Sequence, residues 1–213
     1  MLASTQSRAF PAALSDPAER ARRRAMLEQA PHVAPIRSLA ARIRQDTGRP
    51  VPEPDPLDGG AEAALLLLLE TPGPRMMQSG IVSRDQPSGT GANLRRFLDA
   101  AQIPRRETLI WNAIPWVIHE PGARNRAPRV TELRAALTWL PPLVEAMPKL
   151  RIAVLAGRFA AAAEQTLHAA RPHLLLRTMP HPSPTFVCTS TEVPIRIMAA
   201  LSDAAAALRA EPR

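Results

Sequence analysis

Four short apolar segments divide the chain, and each has the length of a buried strand rather than of a full helix. They occupy residues 63–69, 108–111, 151–156 and 174–178. The first segment, 63–69, is an uninterrupted apolar run, which is typical of a parallel strand buried on both faces. The leucines of the first segment would also suit a helix, but the Pro-Gly-Pro at 72–74 favours a strand that ends there.

Helical patterns fall around and between these segments. We predict helices over residues 18–30, 36–47, 93–101, 131–147, 158–170 and 194–208, with a break at Pro141-Pro142, and a long glycine-containing loop over residues 71–91. Strands that alternate with helices indicate an α/β fold, here a three-layer α/β/α sandwich with a central four-stranded parallel sheet. We assign residues 1–60 to an N-terminal helical extension packed on the same domain, and residues 61–213 to the sandwich itself.

Charge restricts the choice of partner. The chain of 213 residues has a formal net charge of +8, and Lys149 is its only lysine. An isoelectric point near 11.4 indicates a polyanionic partner, for which nucleic acid is a better candidate than a membrane. No apolar run reaches the 18 or so residues of a transmembrane helix, and the N-terminus does not resemble a secretory signal. We therefore expect a cytoplasmic protein, associated with the nucleoid if the source is bacterial. We also expect a monomer, although nothing in the sequence reveals the oligomeric state.

Cysteine content restricts the choice of cofactor. Cys188 is the single cysteine, so the chain can form neither an intrachain disulfide nor a cysteine-based zinc or iron–sulfur centre. The five histidines include no pair at helical spacing beside a carboxylate. We expect a protein without metal or other cofactor.

Polar residues follow each of the four predicted strands, at Glu70-Thr71, Asn112, Gly157-Arg158 and His181-Pro182-Ser183. Each has an ordinary structural explanation when it is taken alone. Glu70 could lie in solvent or cap a helix, Asn112 could form an Asx-turn, and His181 could be a buried histidine bonded to backbone. In a parallel sheet, however, all four strand ends lie at one edge, where α/β proteins build their sites. The joint placement therefore predicts an enzyme.

These residue types suit one reaction. A carboxylate can orient a water or stabilise a developing cation, and a neutral histidine can donate a hydrogen bond to a developing oxyanion. An asparagine amide offers a donor beside an acceptor and so matches the edge of a base. Together with a basic surface, they suit hydrolysis of an N-glycosidic bond in DNA, with the base flipped out of the stack.

The motifs also identify a family. The chain resembles the uracil-DNA glycosylase superfamily over about residues 61–208, and His181-Pro182-Ser183-Pro184 is the most specific match. The other carrying segments are LLLLLETPG at 65–73, LIWN at 109–112 and VLAGR at 154–158. The resemblance implies that Glu70, which stands two residues before the proline as in the thermophile-type enzymes, orients the water and stabilises the cation. It implies that His181 stabilises the uracil anion.

The same resemblance implies roles for the surrounding residues. Thr71, Pro72, Gly73 and Asn112 would contact uracil, with Asn112 reading its edge. Contacts to DNA would come from the phosphate-binding residues Gly157, Arg158 and Ser183, from the wedge Phe186, and from Arg84 and Ser88 on a DNA-facing rim formed by residues 83–88.

Three departures from the family pattern concern the base. Leu69 replaces the usual opening glycine of the first motif, and no tyrosine is present to exclude thymine. The stacking phenylalanine is absent from residues 81–91, which leaves Trp111, Trp116 or Phe97 as candidate aromatic faces. The missing cysteines indicate a member without an iron–sulfur cluster.

We predict a monofunctional uracil-DNA glycosylase that leaves an abasic site. No lysine lies in the motifs, so a Schiff-base lyase step is not expected. Two alternatives stay open. The enzyme could instead remove hypoxanthine, xanthine or mismatched thymine, or the protein could be a catalytically silent DNA binder, although binding alone does not require Glu70, Asn112 and His181.

Overall fold

The computed structural model describes residues 12–120, 122–123 and 126–210. The strands are β1 Glu53–Pro54, β2 Leu65–Leu69, β3 Ile81–Val82, β4 Thr108–Asn112, β5 Ile152–Ala156 and β6 Leu175–Met179. The four predicted strands form one parallel sheet in the order β4-β2-β5-β6. A separate two-stranded parallel pair joins β1 to β3. Because all four long strands run the same way, their carboxyl ends lie at one edge, as predicted.

Helices surround the sheet, and several begin or end away from their predicted bounds. The predicted helix over residues 131–147 is two helices, Val130–Leu137 and Leu140–Glu145. The break comes before Pro141, which lies in the first turn of the second helix, where proline is tolerated. The alanine-rich segment is likewise divided. In the described ranges the α-helices are α1 Pro17–Leu27, α2 Ala34–Thr47, α3 Met76–Ser79, α4 Gly89–Ala100, α5 Val130–Leu137, α6 Leu140–Glu145, α7 Arg158–Ala161, α8 Glu164–Ala170, α9 Pro184–Val187 and α10 Glu192–Arg209.

The sheet separates two apolar cores. Leu66 and Leu68 of β2 pack with α2, α5, α6, α7 and α8 on one face. Leu65, Leu67 and Leu69 pack with α3, α4 and α10 on the other face. The predicted three-layer α/β/α sandwich with a four-stranded parallel sheet is confirmed. No helix in the described part of the chain is long and apolar enough to cross a membrane.

The long loop predicted over residues 71–91 is partly ordered into regular elements. It contains α3 and β3, which meet at Gly80. Gly80 has φ of +70°, a left-handed conformation that glycine adopts without steric cost and that ends α3. The chain then enters β3, where Ile81 pairs with Glu53. The loop is thereby joined to the segment that precedes the main sheet.

A buried ion-pair cluster attaches α1 to the domain. Arg23 is only 2% exposed, and its two terminal nitrogens lie 2.6 Å from Asp55 Oδ2 and 2.7 Å from Asp85 Oδ2. Arg105 contacts the same two carboxylates at 2.6 and 2.7 Å. The Nε of Arg23 also lies 2.7 Å from Glu19 of its own helix. Residues 1–11 of the assigned extension lie outside the described residues, but its α1 is anchored beside the loop that carries Asp85.

Candidate active site

Two adjoining cavities open at the carboxyl edge of the sheet, and both are lined by Glu70, Thr71, His181 and Phe186. The first, of about 520 Å³, is called the α4 cavity. Its other walls include Leu69, Gly73, Met76, Gln86, Ser88, Leu94 and Ser183. The second, of about 800 Å³, is called the α10 cavity. Its other walls include Gly157, Arg158, Phe159, Thr178 and Arg196.

Glu70 follows β2 and lies against the turn that follows β5. The backbone N–H of Phe159 donates to Glu70 Oε1 at 3.1 Å. Gly157, with φ of +95°, allows this approach, because a Cβ there would stand 2.5 Å from the same oxygen. Burial raises the pKa of Glu70 above its ordinary 4.5, against the opposing effects of the Phe159 N–H and the Arg158 charge. The site therefore holds a carboxylate that is more basic than usual.

His181 follows β6, and the structure defines its tautomer. The backbone N–H of Ser183 donates to His181 Nδ1 at 3.2 Å, so Nδ1 is the acceptor nitrogen. In the neutral ring the proton then lies on Nε2. Burial lowers the pKa of His181 from 6.5 to about 4, which keeps the ring uncharged at neutral pH. The ring of Phe186 meets it edge-on, with centroids 6.4 Å apart.

Helix α4 supports the turn that carries His181. Asn93 Nδ2 donates to the carbonyl of Pro182 at 2.9 Å. Gly89 lies close to Pro184, because a Cβ on Gly89 would stand 2.2 Å from the proline ring. Sequence reasoning missed both contacts. They join segments about 90 residues apart in the chain, and no local pattern marked Asn93 as more than the start of a helix.

The structure brings most of the predicted site residues together. Residues predicted to contact uracil are divided: Thr71 and Gly73 line the α4 cavity, whereas Pro72 is buried and is not part of either wall. Asn112 is 1% exposed and also lies outside both walls, paired in register with Leu69. Among the described residues its Nδ2 and Oδ1 have no hydrogen-bond partner. Of the residues predicted to contact DNA, Ser88 and Ser183 line the α4 cavity, Gly157 and Arg158 line the α10 cavity, and Phe186 lines both.

The expectation that residues 83–88 form a DNA-facing rim is wrong for most of the segment. Arg84 is buried, and burial lowers its pKa, opposed by the nearby charge of Asp58. Asp85 belongs to the buried ion-pair cluster, which draws this polar segment into the interior. Ser88 is half-buried, and its Oγ accepts from the N–H of Gly91 as the N-cap of α4. Arg84 is therefore not a surface contact for DNA.

The candidate stacking aromatics also prove to be core residues. Trp111 and Trp116 pack on one face of the sheet, and Phe97 packs on the other. The α4 cavity instead has aliphatic walls formed by Leu69, Met76 and Leu94, with Phe186 at its shared border. A flat ligand in this cavity would be held mainly between aliphatic side chains.

Arginines surround the α10 cavity. Arg158 and Arg196 are exposed there, and Arg126 is held by Glu132, with one nitrogen–oxygen distance of 2.8 Å. A third groove, of about 1000 Å³, shares Arg126 with the α10 cavity and Arg75 with the α4 cavity. Guanidinium groups bind phosphate oxygens well, so this cationic border suits a nucleic-acid backbone.

Comparison with known proteins agrees with this geometry. A search of the curated proteins finds no match. The family model described as "Uracil DNA glycosylase superfamily" matches residues 56–204, which is more than half of the chain. The matched region begins after α1 and α2 and contains the whole four-stranded sheet. It also contains the four residues that line both cavities, Glu70, Thr71, His181 and Phe186. The chain therefore belongs to the uracil-DNA glycosylase superfamily.

Proposed function

We propose that the protein is a monofunctional DNA glycosylase that hydrolyses the N-glycosidic bond of uracil in DNA and leaves an abasic site. The observation that carries the proposal is the pairing of Glu70 with a neutral His181 across one cleft. The carboxylate of Glu70 can stabilise a developing positive charge, and the Nε2–H of His181 can donate to a developing negative charge. Cleavage of an N-glycosidic bond develops both charges at once, on the sugar and on the departing base.

His181 is the anion-side group. Its Nε2–H is the donor that remains after Ser183 has engaged Nδ1. As the bond from C1′ to N1 breaks, the electron pair passes to the base, and Nε2–H donates to the uracil oxygen where that charge collects. The donor is a neutral imidazole, because burial lowers the pKa of His181 to about 4 and leaves only the Nε2 proton on the ring at neutral pH.

Glu70 is the cation-side group. Its carboxylate stabilises the oxocarbenium-like sugar and orients the water that attacks C1′. The proton released by that water passes to the carboxylate or to solvent, while the base leaves as an anion that is protonated later. The raised pKa of Glu70 favours proton acceptance at this step. The Phe159 N–H holds Oε1 in place during the reaction.

The two cavities divide the substrate. The α4 cavity, with its aliphatic walls, receives the flipped base. The α10 cavity, with Arg158 and Arg196, receives the sugar-phosphate backbone beside it. Phe186 lies at the border of both and is half-exposed, as a side chain that fills the space left in the base stack should be.

The proposal is tested with a labelled oligonucleotide that contains one uracil, incubated with protein and then treated with alkali. Alkali-dependent cleavage at the uracil is the expected result, and Glu70→Gln and His181→Ala should each slow it by at least about a hundredfold. Arg209→Ala, at the far end of α10, is the matched control for surface charge and should cut normally. Salt-sensitive binding without any base release would instead indicate a silent DNA binder.

One observation favours a wider range of bases as a second candidate. Gly73 lines the α4 cavity, and no atom outside Gly73 and its two chain neighbours lies within 4 Å of the place where its Cβ would stand. This open space leaves room for the methyl group of thymine or for a purine ring. Oligonucleotides with hypoxanthine, xanthine or mismatched thymine distinguish this candidate from a uracil-specific enzyme by their relative rates of cleavage.

A further inference from the structure

The third groove, of about 1000 Å³, lies beside the active site without containing its reactive groups. Neither Glu70 nor His181 lines it, but it shares Pro74 and Arg75 with the α4 cavity and Arg126 with the α10 cavity. A DNA strand that continues from the two cavities along this shared border enters the groove. We call it the Arg49 groove, and its described wall includes Arg49, Arg75, Met77, Arg126, Arg129 and Glu132.

The Arg49 groove presents positive charge to solvent. Four arginines line it, against two carboxylates among the described residues, those of Glu120 and Glu132. The side chain of Glu132 is only 11% exposed, whereas those of its ion-pair partners Arg49 and Arg126 are 45% and 37% exposed. The Glu132 carboxylate therefore lies on the protein side of the two guanidinium groups, and it holds them while they face outward.

Arg49 comes from the N-terminal extension and lies outside the region that matches the family model, which begins at residue 56. Its N–H donates to Thr47 Oγ1 at 3.2 Å. The carbonyl of the next residue, Pro50, accepts from the N–H of Val117 at 2.9 Å. Because Val117 also lines the groove, this bond fixes the end of the extension to the segment that follows β4.

The composition of the wall indicates which part of DNA the groove suits. Proteins bind unpaired bases by stacking them on aromatic rings, and no phenylalanine or tryptophan is among the described residues of this wall. Arg129 is exposed and forms no ion pair with a described carboxylate. Exposed guanidinium groups without a stacking surface suit backbone phosphates rather than bases.

We propose that the Arg49 groove holds backbone phosphates of the uracil-containing strand beside the flipped nucleotide, and that the N-terminal extension thereby contributes to DNA binding. The inference rests on the proposed glycosylase function, because that function puts the flipped nucleotide in the two cavities that border the groove. The contact depends on charge and not on base sequence. The groove therefore strengthens binding without selecting the base.

The test pairs a protein change with the loss of one DNA charge. Dissociation constants are measured for a duplex with one uracil in the Glu70→Gln background, in which base release is slow. Arg49→Ala and Arg129→Ala should each weaken binding about three- to fivefold and lower the slope of log Kd against log salt concentration by about 1. Uncharged methylphosphonates then replace single phosphates along both strands. At one position in the uracil strand, the uncharged linkage should remove the effect of Arg49→Ala.

Arg134→Ala is the matched control, because Arg134 is exposed on α5 but is not part of the groove wall. It should bind DNA nearly as tightly as the background protein. Equal losses for Arg49→Ala and Arg134→Ala would indicate an effect of net charge alone and overturn the inference. An effect of Arg49→Ala that persists at every methylphosphonate position, or that disappears only for the complementary strand, would also overturn it. A wild-type protein that releases no base refutes the proposed function, whereas an active enzyme with an unchanged Kd in Arg49→Ala refutes the groove.

Discussion

Replacement of Arg23 by methionine tests whether the buried ion-pair cluster joins α1 to the active-site wall. Methionine matches the length of the arginine stem but leaves the carboxylates of Asp55 and Asp85 with one cation fewer. Loss of one partner of a buried ion pair costs about 3–5 kcal/mol. Arg105 still contacts both carboxylates, so we expect the lower end, about 3 kcal/mol.

In a chain of this size, each 1 kcal/mol lowers the melting temperature by about 2–4 °C, so Arg23→Met should melt about 6–12 °C lower. The assay is thermal unfolding followed by circular dichroism, together with uracil release measured well below the transition. Asp85 directly precedes Gln86 of the α4 cavity, so we also expect a higher KM in the folded variant, with partial recovery in Arg23→Lys.

Arg22→Met is the control, since Arg22 lies on the same helix, is 54% exposed and pairs only with Glu19 among the described carboxylates. Exposed ion pairs contribute little, so this variant should melt close to the wild type. Equal melting temperatures for the two variants would refute the assigned role of the cluster. A destabilised Arg23→Met with wild-type KM would confine that role to stability.

Four further predictions concern the site and its supports. At pH 6 His181 should be neutral, because burial lowers its pKa to about 4, and its proton should lie on Nε2, because Nδ1 accepts from Ser183. Nitrogen NMR of the ring measures this, and protonation of both ring nitrogens at pH 6 would contradict it. Gly157→Ala should reduce the rate of base release about a hundredfold, because the added Cβ displaces the carboxylate of Glu70. Gly48 also has a positive φ but open space around its Cβ position, so Gly48→Ala should remain active, and equal losses in the two variants would indicate backbone strain alone. Asn93→Ala should lower the rate about tenfold by releasing the Pro182 turn, with a small change in melting temperature, and a rate as in the wild type would show that the turn needs no support. Burial raises the pKa of Asp58 to about 7, so the folded state binds one proton more than the unfolded state between about pH 4 and pH 7, and the free energy of unfolding falls as pH rises through this range. Urea unfolding at several pH values should show this fall, and Asp58→Asn should remove it.

Local sequence determined the strands and the edge at which the site lies. The five leucines at 65–69 are stable only in a strand whose two faces are both shielded from water, and Pro72 and Pro74 end that strand. The residue after each strand is then placed at one edge by the parallel topology alone. For this reason the sequence alone predicts that Glu70 and His181 lie at the same edge of the sheet.

The local sequence does not show which charged segments are buried, because the partners of a buried charge are remote in sequence. Arg23 and Asp85 are 62 positions apart, and nothing near either one signals a buried pair. A run such as Ser83-Arg84-Asp85-Gln86 therefore has the composition of a surface loop. Its burial follows from a cluster that exists only when α1, the loop and Arg105 have come together.

Protonation and orientation also depend on the folded environment. The chemical type of Glu70 and His181 is written in the sequence, but the basicity of the one and the neutral tautomer of the other result from burial and from the N–H groups of Phe159 and Ser183. The sequence alone therefore determined which reactive groups meet at the sheet edge. Long-range packing decided their charge states, because desolvation and hydrogen-bond geometry are properties of the folded chain.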